Sequence, residues 1–190
     1  MIWDSDKHRS QQMRASRRAL LAAMLLLPVM GAMSLSPAQA RGGAGPQMVA
    51  FGGDYAPGTI VVKTRERQLY LVVDHGRALR YRVGVGRPGM QWSGVSRIEG
   101  KYVNPAWSPP PDIRRDNPRL PDLIPGGSPA NPMGVAAMTL SGGEYAIHGT
   151  NRPGSIGGMV SYGCIRMHNR DITDLFARVT VGTPVVVTQN

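Results

Sequence analysis

The sequence predicts a mostly β fold, a sandwich or barrel, with one short helix near the C-terminus. β-Branched or alternating runs recur from residue 59 onward, and turn residues such as Asp, Gly and Pro separate them. One stretch, after residue 168, repeats its apolar residues at helical spacing.

The first predicted strands lie between residues 59 and 86. They are T-I-V-V-K (59–63), Q-L-Y-L-V-V (68–73) and A-L-R-Y-R-V-G-V-G (78–86). Asp74-His75-Gly76 is a tight-turn signal between the second and third runs. The third run alternates apolar residues with arginine and glycine, which is typical of a strand with one buried face.

The segment from Asn104 to Pro132 is rich in proline, which lacks the donor that a central strand needs. Irregular segments of this length in a compact domain are usually functional or disordered. We predict an ordered flap beside an active site, pinned to the domain by Trp107 and Ile113.

The remaining elements are a hairpin, a helix and a last strand. V-A-A-M-T-L (135–140) and Y-A-I-H (145–148) form the hairpin, and P-V-V-V-T (184–188) is the last strand. Asn169 is predicted to be the N-cap of the helix. The apolar residues predicted to form its buried face are Ile172, Leu175, Phe176 and Val179.

The N-terminus predicts an export signal. Five basic residues precede the uncharged run Ala19 to Met33, and Ala38-Gln39-Ala40 follows it. This order indicates a signal peptide over residues 1–40, cleaved after Ala40, and a periplasmic protein. Arg17-Arg18 leaves both the Sec and the twin-arginine route open. We expect a flexible lead-in over residues 41–57 and one domain over residues 58–190.

The chain is basic, with a formal net charge of +10. The leader holds five of the 22 basic and two of the 12 acidic residues, which leaves +7 on the remainder. Its basic residues are scattered, so the sequence predicts no nucleic-acid partner. A positive exported protein favours anionic surroundings such as cell-wall polymers or lipid head groups.

Cys164 is the only cysteine in the chain, so no disulfide can form within it. His148 precedes it by 16 residues, and five glycines in between can fold the chain back. A neighbouring imidazole favours the thiolate. Gly163 permits a backbone that aims N–H groups at one spot, as an oxyanion requires. These parts indicate a cysteine acyl-transfer site.

Two other readings of these residues remain open. Cys164 can be a small buried core residue, with His148 purely structural. Cys164, His148 and His168 can also hold zinc, although three ligands in this order match no common zinc spacing.

H-G-T-N-R-P (148–153) and S-Y-G-C-I-R-M (161–167) resemble the active-site signature of the L,D-transpeptidases with a YkuD-type domain. That signature is a His-Gly followed further on by Ser-x-Gly-Cys-[Ile/Val]-Arg. The likeness covers nearly all of residues 58 to 188. It implies a mostly β fold, a β-sandwich of mixed sheets with one short helix near the C-terminus. It also implies that residues 58–190 are an L,D-transpeptidase catalytic domain.

The resemblance implies a role for each signature position. Cys164 is the nucleophile, His148 its base, and the carbonyl of Gly149 orients the imidazole. Backbone N–H groups of Tyr162, Gly163 and Cys164 form the oxyanion hole.

Four further residues are candidates for substrate binding. Arg166 either binds a substrate carboxylate or braces the loop, because a guanidinium suits both. Ser161 fills a signature position, and Arg152 and Trp107 are the remaining candidates. The resemblance implies no metal and no organic cofactor.

The implied activity is that of a peptidoglycan L,D-transpeptidase in cell-wall biogenesis and cell shape. Its partners are donor and acceptor stem peptides, and the protein contacts the membrane only during export. Cys164 releases D-alanine from a tetrapeptide stem, and an acceptor amine then forms a 3→3 cross-link. The alternatives are a wall hydrolase, an enzyme that attaches a protein to peptidoglycan, or a non-catalytic wall-binding module with a structural cysteine.

Overall fold

The computed structural model describes residues 45–142 and 145–189. The signal peptide predicted over residues 1–40 and its cleavage site lie outside the described residues. The strands are β1 Gln47–Ala50, β2 Ile60–Lys63, β3 Gln68–Asp74, β4 Arg77–Arg82, β5 Val85–Gly86, β6 Gly94–Val103, β7 Ala136–Leu140, β8 Ala146–His148, β9 Met159–Ser161, β10 Ile165–Arg166 and β11 Pro184–Thr188. The helices are α1 Pro111–Asp116, the 3₁₀ turn Pro153–Ser155 and α2 Asn169–Arg178.

The strands form one large mixed sheet and one small parallel sheet, which confirms the predicted mostly β fold. The larger sheet has nine strands in the order β1-β4-β3-β2-β11-β6-β7-β8-β10, and β5 and β9 form a separate parallel pair. β11 returns parallel to β2, and β10 runs parallel to β8, whereas the other pairs of the large sheet are antiparallel.

The large sheet closes over the larger of two apolar clusters because β6 belongs to both of its halves. The first residues of β6 pair with β11, and the rest pair with β7 after a register shift between Ile98 and Gly100. Leu69 from one half and Ile147 from the other lie in the same buried cluster as Ile98. The two halves therefore pack face to face as a sandwich.

Five predicted strands are confirmed to within one residue at each end, and they correspond to β2, β3, β7, β8 and β11. The run 78–86 is interrupted, because Gly84 leaves β4 and exchanges two backbone hydrogen bonds with Arg166. β6, the longest strand, was not predicted, since G-V-S-R-I-E-G-K-Y-V has only a weak apolar alternation.

The expected flexible lead-in is wrong for residues 47–50, which pair with β4 as the edge strand β1. Phe51 follows β1 and is buried against Tyr70, with ring centroids 4.6 Å apart. An aromatic side chain buried this way fixes the chain before the predicted domain boundary.

The predicted C-terminal helix is confirmed as α2, and Ile172, Leu175 and Val179 are buried as expected. Its N-cap is His168 and not Asn169, because the Asn169 side chain instead accepts the Thr150 N–H at 2.8 Å. Neither described helix has the length and apolar character that crossing a bilayer requires.

The flap, residues 104–132, is ordered and includes the helix α1, which the proline content did not predict. Asn131 is its anchor: the side chain is 1% exposed and donates to the carbonyls of Pro105, Ile124 and Pro125. Trp107 was the expected anchor. Its backbone pairs with Ile124 inside the flap, and its side chain lines a cavity.

Candidate active site

The parallel pairing of β8 with β10 brings the predicted nucleophile and base to one face of the sheet. Arg166 is the register partner of His148, and Ile165 is the partner of Ile147. Parallel partners point to the same face, and side chains alternate along each strand. Cys164, two residues before Arg166, therefore shares a face with His148, while both isoleucines enter the core.

This face opens into a cavity of about 1110 Å³, here called the cysteine cavity. The flap forms part of its wall. The predicted site side chains that line it are Trp107, His148, Arg152, Ser161, Tyr162, Cys164 and Arg166.

The arrangement does not support the zinc alternative. His168 lines a different cavity of about 630 Å³. Among the described residues, no three His, Cys, Asp or Glu side chains are grouped to hold a metal ion.

His148 is 4% exposed, and its ring orientation is set by the next residue. The Gly149 carbonyl lies 2.7 Å from Nδ1. A hydrogen on Nδ1 that is donated to this carbonyl leaves the Nε2 lone pair free to accept a proton. Position 149 requires glycine, because a Cβ there would lie 2.4 Å from Asn169 Oδ1.

Burial keeps His148 neutral. It lowers the pKa of His148 from 6.5 to about 4, and the positive charge of Arg166 acts in the same direction. The carbonyls of Gly149 and Pro132 oppose this shift because they stabilise the protonated ring. At neutral pH the imidazole is therefore uncharged.

Cys164 is half-buried, and burial raises the pKa of its thiol. The Ala146 N–H and the charge of Arg166 act in the opposite direction. In the described part of the chain no hydrogen bond joins the thiol to the His148 ring. Burial thus acts against both the thiolate and the imidazolium, whereas His148 is expected to favour the thiolate.

Ser161 braces the cysteine turn, residues 161–164. Its buried hydroxyl donates to the Cys164 carbonyl at 2.6 Å and accepts the Gly163 N–H at 3.2 Å. These bonds occupy the hydroxyl, so we assign Ser161 to the turn and not to substrate. The same bonds occupy the Gly163 N–H, whereas no acceptor among the described residues takes the N–H of Tyr162 or Cys164.

Trp92 is a site residue that the sequence reasoning missed. Its Nε1–H donates to the Gly163 carbonyl at 3.0 Å, and its ring stacks on Tyr145 at 4.9 Å and 6°. Gly163 has a φ of 122°, and a Cβ there would lie 2.2 Å from the Tyr145 ring. No local motif marks Trp92, which is 72 residues from Cys164 in the sequence.

Arg166 is only partly satisfied by the protein. Its Nη1 donates to Ser155 Oγ at 3.1 Å, and its Nε is buried without a partner. No carboxylate within residues 45–142 and 145–189 forms an ion pair with it. Burial lowers the pKa of Arg166, and the charge of the exposed Arg152 does so as well.

The flap contacts the cysteine turn through exposed side chains. Asp116, the last residue of α1, accepts from Arg87 Nη2 at 3.0 Å and from the Tyr162 hydroxyl. The Arg87 guanidinium also lies 3.9 Å from the centre of the Tyr162 ring, a cation–π contact.

Known proteins resemble this chain over the same region. The family model of the YkuD L,D-transpeptidase catalytic domain matches residues 57–187. The probable L,D-transpeptidase ErfK/SrfK of Escherichia coli is 37% identical over 150 residues, which cover 75% of this chain and 47% of that protein. The putative L,D-transpeptidase YqjB of Bacillus subtilis is 35% identical and covers 69% of this chain and 71% of that protein.

Solved structures share the fold. The catalytic domain of an L,D-transpeptidase from E. faecium superposes with a TM-score of 0.55 at 22% identity, over 72% of this chain and 100% of that one. An L,D-transpeptidase from Mycobacterium tuberculosis has a TM-score of 0.53 at 15% identity, over 68% and 57%. The chain spans about half the length of the E. coli relatives it matches. On the family match over residues 57–187, the chain belongs to the L,D-transpeptidases with a YkuD catalytic domain.

Proposed function

We propose that this chain is a periplasmic peptidoglycan L,D-transpeptidase that works through Cys164. The observation that carries the proposal is the pairing of β8 with β10, which brings Cys164 and His148 to one cavity. The sulfur attacks the carbonyl of the diamino acid in a donor tetrapeptide stem. A carbon–sulfur bond forms, the amide bond to D-alanine breaks, and a thioester remains.

His148 carries the proton between these steps. A raised thiol pKa and a lowered imidazole pKa disfavour an ion pair before substrate binds. Nε2 therefore takes the thiol proton as the sulfur attacks, and gives it to the nitrogen of the departing D-alanine. The Gly149 carbonyl stabilises the imidazolium by accepting from Nδ1.

The backbone of the cysteine turn stabilises the oxyanion. The N–H groups of Tyr162 and Cys164 are the donors, because that of Gly163 is held by Ser161. Donors held in place before reaction cost no reorganisation when the negative charge develops.

Arg166 binds a carboxylate of the stem peptide, with Arg152 at the rim of the cysteine cavity. A half-buried guanidinium whose buried Nε lacks a partner is costly, and an anionic ligand would satisfy it. An amine of a neighbouring stem then attacks the thioester, which frees the thiol and gives a 3→3 cross-link.

The test is incubation of the purified protein with a disaccharide-tetrapeptide, followed by mass analysis of enzyme and products. We expect loss of D-alanine, a thioester on Cys164 and a cross-linked dimer. The Cys164→Ala variant should give none of these. A tripeptide product without dimer would indicate a hydrolase, and wild-type protein that forms no thioester would leave a non-catalytic wall-binding module.

The same stem peptide offered with a protein amine would reveal attachment to peptidoglycan. Export has its own test, because the periplasmic form should begin at Arg41 when its mass is measured. An intact Met1 in that form would contradict cleavage after Ala40.

A further inference from the structure

We propose that Trp92 is a positioning residue that aims the Cys164 N–H at the oxyanion. This inference rests on the proposed function, because it concerns one donor of the proposed oxyanion hole. Within the described part of the chain, no hydrogen bond joins Trp92 to Cys164 or His148. Trp92 acts through the Gly163 carbonyl, to which its Nε1–H donates at 3.0 Å.

The effect follows from the planarity of the peptide bond. The carbonyl of Gly163 and the N–H of Cys164 belong to one rigid, trans unit, in which they point in opposite directions. Holding the carbonyl toward the indole therefore fixes the N–H on the other side of the same plane. A rotation of this unit would turn the carbonyl away from Trp92 and the N–H away from its target.

This peptide unit needs an external partner. Gly163 has a φ of 122°, and glycine tolerates alternative backbone angles that other residues resist. Ser161 secures the units on either side, since it binds the Gly163 N–H and the Cys164 carbonyl. Among the described residues, the peptide unit between them is held only by the hydrogen bond from Trp92.

Trp92 is itself held in place. Its ring lies flat against Tyr145, the residue that precedes β8. The segment before it follows the cysteine turn, because the Arg87 N–H donates to the Ser161 carbonyl at 2.9 Å. Gln91 further ties this segment to the Gly86 carbonyl at 3.1 Å. The indole N–H is thus held in place behind the cysteine turn by the contacts of its ring and of the preceding segment.

The experiment compares two reactions of the same thiol. Acylation by imipenem passes through an oxyanion, whereas alkylation by iodoacetamide displaces iodide and forms none. We expect Trp92→Phe to slow acylation by a factor of about 10 to 100, below the 10² to 10³ for complete loss of an oxyanion donor. Alkylation at the same pH should stay at the wild-type rate.

Two controls separate positioning from general damage. Tyr70 lies in the smaller apolar cluster, with Phe51, and Tyr70→Phe also removes one aromatic hydrogen bond, the one to Glu66, so it should leave both rates unchanged. Benzothienylalanine in place of Trp92 keeps the shape of the indole but lacks the N–H, so it should reproduce the slow acylation of Trp92→Phe even where that variant folds poorly.

Equal rates for wild type and the benzothienyl protein would overturn the inference, as would parallel losses of acylation and alkylation. Wild-type protein that alkylates but is never acylated would overturn the proposed function as well. If both Trp92 variants are acylated slowly but alkylated at the wild-type rate, the result supports the positioning role of Trp92.

Discussion

The cysteine turn and the flap line the same cavity but are held there in different ways. The turn is fixed by buried hydrogen bonds from Ser161 and by Trp92. The flap is fixed internally by Asn131, and it meets the turn through exposed contacts of Asp116. Buried bonds tolerate little displacement, whereas exposed ion pairs contribute little and are screened by salt. We therefore expect chemistry to depend on the turn and access to depend on the flap.

The largest effect should come from Cys164 and His148. Cys164→Ala should abolish thioester formation, and His148→Ala should slow it by about 10² to 10⁴, as for a lost general base. The double variant should be no worse than Cys164→Ala, because groups that act as a unit lose their effect together. Single-turnover D-alanine release measures each. Wild-type rates in His148→Ala would remove His148 from the mechanism.

The buried base should also make stability depend on pH. The folded pKa of His148 is about 4, against 6.5 when unperturbed, so between these values the unfolded chain binds a proton that the folded one does not. The contribution to stability is complete above pH 6.5 and is lost as the pH falls toward 4. Between pH 6.5 and pH 4, the free energy of unfolding of the wild type should fall by about 3 kcal/mol more than that of His148→Asn. Parallel urea titrations of the two proteins measure it, and identical pH slopes would contradict it.

Within the flap, substitution of Asn131 should mainly lower stability, whereas substitution of Trp107 should mainly lower turnover. Asn131→Ala removes three hydrogen bonds and leaves the Pro105 carbonyl without a donor among the described residues, which should cost about 1 to 3 kcal/mol of stability. Trp107→Ala should lower turnover more than the melting temperature, because its side chain faces the cysteine cavity. Melting curves and D-alanine release on both variants test this. The reverse pattern would make Trp107 a scaffold residue.

The smallest effect should come from the contact between the two regions. Asp116→Asn weakens the exposed bonds to Arg87 and Tyr162, which solvent screens. We expect a change of a few-fold or less in KM with kcat unchanged. The difference from wild type should shrink as salt is added, since the pair is exposed. Asp122→Asn, which breaks the exposed pair with Arg114 inside the flap, is the matched control. A loss of kcat in Asp116→Asn would mean that the flap also positions the turn.

Much of the site could be predicted because its signals are local. The alternation in A-I-H and C-I-R indicates which side chains share a face, and the His-Gly and Ser-x-Gly-Cys spacings carry the family resemblance. The same local logic failed for Asn169, whose side chain is taken by Thr150 from another part of the chain. It also failed for β1 and β6, where sheet neighbours outweigh weak intrinsic patterns.

The sequence by itself determined the mostly β architecture, the candidate nucleophile and base, and the ordered proline-rich flap. Only the tertiary structure decided the register that sets Arg166 beside His148, the burial that raises the thiol pKa and lowers the imidazole pKa, and the partner of Gly163. The physical reason is the sequence separation of the residues that interact. Strand patterns and short motifs depend on neighbouring residues, whereas burial and the contacts of Trp92 and Asn131 depend on residues brought together by folding.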